Sequence, residues 1–224
     1  MKFRHEHKHY INYMDYVVLR SKLKAIMKQD DHTDTDGAYQ IRSLYFDNFR
    51  DTVLNEKIDG INHREKFRIR CYNNDFSFVN LEKKTKINSL CSKILAPITQ
   101  EEAESILDCN TEWMAESNYP LIVELYTKMK SQGLRPKSIV DYSREAYVFK
   151  TGNVRVTIDR NIRTGLLSTA MFNPNLPMIT AGDSQILLEV KYDNFLPEII
   201  SNIVQLESRR QTAFSKYAAS RIYG

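Results

Sequence analysis

The chain has 224 residues, 42% of them hydrophobic, with 32 basic residues against 28 acidic ones and a formal net charge of +4. That length favours one compact unit spanning 1–224 with a real core, and the composition excludes disorder. A mild net charge with acids interleaved among bases argues against nucleic-acid binding, which calls for an unmixed basic face. No stretch approaches the roughly 20 apolar residues needed to span a bilayer, and the start Met1-Lys2-Phe3-Arg4 has no apolar signal core, so a cytoplasmic protein is expected. Cys71, Cys91 and Cys109 are widely spaced with no C-x-x-C pair, which argues against a disulfide frame and a zinc site.

In chain order, a first strand is expected over 3–10. Val17, Leu23, Ile26 and Met27 then recur at roughly helical spacing within 13–29, with Arg20, Lys22, Lys24 and Lys28 between them, as on a surface helix. The polar run from Asp30 to Gly37 breaks that pattern, and the β-forming stretch 40–47 reads as a strand. Further strands are expected at 64–72, 76–86, 138–149, 153–159 and 185–192. Helices are expected at 99–107, 119–131, 197–206 and 211–222; Thr99 and Glu102 form a capping box, and Pro120 and Pro197 suit a first turn. The class is α+β, too rich in strands for a doubly wound sheet.

Side chains on a strand alternate between two faces, and here the ionisable ones segregate. Arg4, Glu6 and Lys8 share one face of the first strand; Arg68 and Arg70 oppose Phe67, Ile69 and Cys71. Glu82, Lys84 and Lys86 lie together, Arg155, Thr157 and Asp159 oppose Val154, Val156 and Ile158, and Glu189 and Lys191 lie with Leu187. Alternation of this kind ordinarily marks a half-exposed sheet. Repetition on five strands, with ionisable residues in place of Thr, Ser and Gln, favours an antiparallel barrel or tunnel of about eight strands whose charged faces line the lumen and whose apolar faces carry helices. So many enclosed cations require an anion, and the carboxylates among them a hard metal ion: together, a triphosphate with Mg²⁺ or Mn²⁺. Lys86, Lys191, Arg42 and Arg163 extend the pattern and read equally well as surface charges. His5, His7 and His9 occupy the opposite face of the first strand, where three imidazoles could in principle bind zinc or nickel but are expected to point outward.

These residues resemble the polyphosphate polymerase domain of the vacuolar transporter chaperone type, a branch of the triphosphate tunnel metalloenzymes. The resemblance rests on Arg4-x-Glu6-x-Lys8, the stretches 43–48 and 56–60, Arg68-x-Arg70, 81–85, Ser92-Lys93, Tyr142-Ser143-Arg144, 154–159, Leu188-Glu189-Val190-Lys191 and Phe214-Ser215-Lys216. It implies that Arg68, Arg70, Lys84, Arg155 and Lys216 are catalytic and that Lys8, Lys57, Lys93, Arg144 and Lys191 bind nucleotide or polyphosphate. It further implies that Glu189, with Glu6 and Glu82, holds Mn²⁺ or Mg²⁺. The chain departs from the wider superfamily by carrying Arg4 where the first acid stands, and from the eukaryotic polymerases by carrying Ala213, with Arg209 or Arg210 as candidate substitutes for the missing lysine. The implied reaction is transfer of the γ-phosphate of ATP to a polyphosphate or phosphate acceptor. Hydrolysis in the same tunnel, and non-catalytic sensing of polyphosphate or nucleotide, are the alternatives. A membrane-protein partner is implied only by the habits of relatives.

Overall fold

The computed structural model describes residues 3–30, 33, 36–206, 209 and 211–222. From the N-terminus, β1 (His5–Ile11) leads into α1 (Tyr13–Ile26), which is started by a capping box between Asn12 and Asp15. β2 (Lys28–Gln29), β3 (Tyr39–Asp47) and α2 (Thr52–Ile58) follow. Next come β4 (His63–Tyr72), β5 (Asp75–Ile87) and β6 (Leu90–Ile98), joined by tight turns whose Asn73, Asn74, Asn88 and Ser89 all have positive φ, as two-residue hairpins of this hand demand. α3 (Gln100–Leu107), a 3₁₀ turn (Glu112–Glu116) and α4 (Pro120–Gln132) form the helical middle of the chain. β7 (Arg135–Phe149), β8 (Val154–Thr164), β9 (Ile179–Thr180) and β10 (Ile186–Tyr192) precede α5 (Glu198–Val204) and α6 (Lys216–Ile222).

All strands join one antiparallel sheet in the order β1-β10-β8-β7-β3-β4-β5-β6, with β2 attached to β7 and β9 to β8. The sheet curls until its two ends touch. The Arg4 amide donates to the Cys91 carbonyl at 2.9 Å and the Cys91 amide donates back at 3.0 Å, a single bridge beside β1 and within β6. Farther along β1, the free edge is met by the segment before α6: His9 bridges Gln211, and the Thr212 amide donates to the Lys8 carbonyl at 2.8 Å.

The outer face carries two apolar layers. Leu44, Phe67, Ile69 and Leu81 pack beneath α3 and α4 through Ile106, Ile122, Leu125 and Met129. Val156, Ile158, Leu188 and Val190 pack beneath α1 and α5 through Leu19, Leu23 and Ile200. α6 lies instead on the concave side. Its Tyr217 stands 5.3 Å from the Tyr45 ring, and with Ala219 it joins Val140 and Tyr142 to plug one end of the lumen.

The sequence reading did not anticipate β2, β9, β6 or α2, and the last two border the lumen. β6 carries Pro97 and no charge alternation, and Pro is tolerated because this strand pairs along β5 only, apart from its one bridge to Arg4. α2 is a short helix whose start sits in a left-handed turn at Asp51 and whose first turn is tied down by the Asp47 carboxylate, which accepts from the amides of Val53 at 2.9 Å and Leu54 at 3.1 Å. The helices expected over 197–206 and 211–222 are shorter than expected, and Glu207, Ser208, Arg210, Tyr223 and Gly224 lie outside the described residues.

Candidate functional site: a charged lumen

The five alternating strands point their charges inward, and register places them in rows across the wall. Lys8 pairs across to Glu189, Glu6 to Lys191, Lys191 to Arg155, Arg68 to Glu82, and Lys84 to Lys93. Three further strands contribute residues: Arg144 and Tyr142 from β7, Ser43 and Tyr45 from β3, and Lys93 from β6. Arg42 does not join them. It lies on the other face, where it clasps Asp141 and the carbonyls of Met171 and Asn173. Arg163 is exposed.

Three carboxylate centres organise the lumen. Glu82 accepts from Arg68 at 2.5 Å and Lys93 at 2.9 Å, with Arg70 at 3.7 Å. Burial alone would raise its pKa, yet Arg68, Arg70 and Lys93 outweigh this and hold its carboxyl well below the usual range. Asp159, fully buried, accepts from Arg144 at 2.6 and 2.8 Å and from Lys216 at 2.5 Å. There too burial opposes ionisation, and Arg144 and Lys216 prevail, leaving a pKa of about 2. Glu6 and Glu189 form the third centre. Glu6 takes Lys84 at 2.6 Å and Lys8 at 3.1 Å, while Glu189 takes Lys191 at 3.2 Å, Arg144 at 3.5 Å and Lys8 at 3.9 Å. Burial raises Glu6, and Lys8 with its neighbours brings it down to about 2; Glu189 is likewise held far below normal.

Around these acids the cations are in surplus. A cavity of about 320 Å³ opens between β1, α2, β4, β5, β6 and the segment before α6. Lys57, Lys66 and Lys86 line it without a carboxylate at ion-pair distance among the described residues, beside Lys8 and Lys84. Ala213 lines the same cavity. Arg209 does not take the place of a lysine there, because its guanidinium is spent on Asp15 at 2.6 Å; Arg210 is outside the described residues. Arg155 is held by Asp30 at 2.5 Å and the Tyr39 hydroxyl at 3.0 Å.

The sequence reading passed over Lys66 and left Ser43, Tyr45 and Tyr142, which lie within the resembling stretches, without a role. Tyr142 and Ser43 hold the Arg70 guanidinium at 3.0 Å each, and Tyr45 accepts from Arg68 at 3.2 Å. Burial raises the Tyr45 phenol, but Arg68, Arg70 and Lys216 pull it below its ordinary value. Lys66 shares the parity of Arg68 and Arg70, so the alternation contained the signal.

Glu6 and Glu189 fit a divalent cation by the chemistry of their donors: two ionised hard-oxygen carboxylates projecting from neighbouring strands, with Glu6 lining the open cavity. Both oxygens of Glu82 and of Glu6 already accept from cations, Glu6 from Lys84 at 2.9 and 2.6 Å, so a metal would have to displace an ammonium there, whereas Glu189 has its nearest ion-pair partner among the described residues at 3.2 Å. No cluster of three or more His, Cys, Asp or Glu placed to hold a metal occurs among the described residues. His5 and His7 stack on Tyr192 outside the barrel, and His7 also shares hydrogen bonds with the Tyr192 hydroxyl and Gln211 at 2.9 Å each.

A curled antiparallel sheet with ionisable residues inside and helices outside is the architecture of a tunnel fold. The chain belongs to the VTC domain family, whose model matches residues 3–222. Among solved structures it is similar to a Bacillus halodurans protein described by a proposed activity, adenylate cyclase, with a TM-score of 0.53, 13% identity and coverage of 90% of this chain and 85% of that one. Two proteins of Pyrococcus horikoshii are similar at TM-scores of 0.49 and 0.47, with 14% and 15% identity and coverage of 92% and 96% of both chains respectively. At 13% identity the first of these likenesses concerns the fold alone. No curated protein matches the chain significantly. Among the described residues, no helix is long and apolar enough to cross a membrane.

Proposed function

We propose that this protein is a metal-dependent phosphotransferase that moves the γ-phosphate of ATP onto a polyphosphate or phosphate acceptor inside the lumen, releasing ADP. The observation that carries this reading is the surplus of cations over carboxylates in an enclosed wall. Lysines that lack counter-ions on that wall are stable only beside water or a polyanion, and a phosphate chain supplies repeated negative charge along the axis. Membership of the VTC domain family supports the same reading.

In this reading Arg68, Arg70, Arg144 and Arg155, with Lys84 and Lys216, clamp the phosphate oxygens of donor and acceptor and align two anions that otherwise repel. Lys8, Lys57, Lys93 and Lys191 extend the grip along the chain. Glu6 and Glu189 hold Mg²⁺ or Mn²⁺, which supplies charge neutralisation at the transferred phosphoryl group. Glu82 keeps Arg68 and Arg70 oriented toward the axis. The acceptor is already an anion, so the chain needs no general base; its contribution is fixed positive charge where the leaving oxygen accumulates negative charge. Incubating the purified protein with ATP and Mn²⁺ and resolving phosphorus species by ³¹P NMR tests the proposal. Mid-chain phosphate signals support it; free phosphate alone indicates a hydrolase, and unchanged ATP a binding protein.

A further inference from the structure

The outward side of α1 is apolar where a surface helix ordinarily turns charge to water. Tyr16, Leu19 and Leu23 point down into the core layer over β8 and β10. On the opposite side Met14, Val18, Ser21 and Ala25 recur at the helical interval with Val17 beside them, and all five are exposed and uncharged. Met14 is 68% exposed, Tyr13 at the helix start 66%, Val18 48% and Val17 44%. A helix that is apolar on two opposite sides is ordinarily enclosed by a second layer.

α5 covers the same layer as α1 through Ile200 and Val204, and its outward side adds Ile199, with Phe195 exposed in the turn before it. The charges bordering this face are mostly positive. Lys22 and Lys24 stand exposed on the two flanks of the α1 stripe, and Lys28 follows in β2, also exposed. Of the acids on the two helices, Asp15 is held by Arg209 at 2.6 Å, which leaves Glu198 as the exposed one. Six apolar side chains fall well short of the roughly 20–30 residues a side that a stable protein interface uses, and a two-fold contact would set like-charged lysines against each other. A shallow apolar stripe edged by lysines instead matches acyl chains beneath a layer of negative headgroups.

We propose that α1, assisted by the start of α5, is a docking face for an anionic phospholipid surface. Met14, Val17, Val18 and Tyr13 enter the boundary between headgroups and acyl chains, while the Lys22 and Lys24 ammoniums stay at headgroup level on their flexible stems. Two signals are needed, because a few half-exposed apolar side chains or two charges alone bind a bilayer only marginally. The face lies outside the sheet wall, across it from the lumen, so this assignment stands or falls separately from the phosphotransferase reading.

Co-sedimentation of the full chain with vesicles tests it, using phosphatidylcholine alone and phosphatidylcholine mixed with phosphatidylglycerol. The wild type is expected on the mixed vesicles and not on the neutral ones, and to be released as salt is raised. Lys22→Gln with Lys24→Gln should weaken partitioning by roughly thirtyfold, and Met14→Asp with Val18→Asp by about tenfold or more. All four positions are exposed, so both double variants should keep the far-UV circular dichroism spectrum of the wild type. Failure of the wild type to bind, equal binding to neutral vesicles, or unchanged binding in both variants overturns the assignment. So does loss of binding in Lys57→Gln with Lys86→Gln instead, which would place the lipid at the tunnel mouth. A lipid-free dimer in analytical ultracentrifugation that Val18→Asp dissolves also overturns it, giving the face to a second copy of the chain.

Discussion

Replacing Asp159 by Asn tests whether the plug end of the lumen is held by charge. Asp159 is fully buried and is the shared acceptor of Arg144 on the sheet and Lys216 at the start of α6. Removing its charge strands two enclosed cations, and breaking a buried ion pair from one side costs about 3–5 kcal/mol. An independent figure comes from ionisation: a carboxyl held at about 2 against an ordinary 3.8 is worth roughly 2.5 kcal/mol of folding free energy. The two agree in order of magnitude, and for a chain of this size they correspond to a fall in Tm of about 10 °C. Because the folded pKa is depressed, this contribution is complete above the ordinary value and is lost as pH falls toward about 2. Urea unfolding at neutral pH should therefore show the loss in Asp159→Asn, and the acid limb of stability between about pH 4 and about pH 2 should be shallower in the variant than in the wild type. A loss below about 1 kcal/mol, or an unchanged acid limb, would refute the argument that Asp159 anchors α6 electrostatically.

Glu189→Gln should abolish turnover in the ³¹P assay while leaving the far-UV circular dichroism spectrum unchanged, since it removes one of the two carboxylates assigned to the metal; an unchanged rate sinks that assignment. Arg155→Ala should lower kcat by about a hundredfold through lost charge at the transferred phosphate, and a change confined to KM would instead mark Arg155 as a binding group. On the outer face, Glu145 accepts from Tyr16 at 2.6 Å, Tyr147 at 2.8 Å, Arg20 at 2.9 Å and Arg160 at 3.1 Å beneath α1. Glu145→Gln should lower unfolding free energy by about 3 kcal/mol in urea and leave turnover per folded molecule untouched, because none of these groups reaches the lumen. A changed rate would show that the outer cluster is coupled to the site.

The lumen was legible in the sequence where one face of a strand is ionisable and the other apolar, as in β4, β8 and β10. β3 hid its role because both of its faces are largely apolar or aromatic: Ile41 and Tyr45 look inward while Leu44 and Phe46 join the outer core, so a period of two puts Arg42 with Leu44 and Phe46 without saying which face is the inner one. The weight of Lys66 was hidden for a different reason. Its parity could be read, but the absence of a counter-ion depends on Lys84 and Lys8 arriving from two other strands, a property of register and not of spacing. β6 escaped notice because it has a single charged residue, Lys93, and interrupts itself with Pro97, chemistry that an edge strand permits.

The bridge between Arg4 and Cys91 makes this wall a split ring. Eight ladders of equal strength would fix the bore by their stagger, whereas here one joint consists of two backbone hydrogen bonds, worth about 1–3 kcal/mol together. Girth is then an adjustable quantity, set by how far β1 and β6 stand apart, and fluctuations in width concentrate along one line of the circumference. The amides of Arg4 and Cys91 should accordingly trade hydrogen for deuterium well before those of β7 and β8, whose long pairing lies on the far side of the ring.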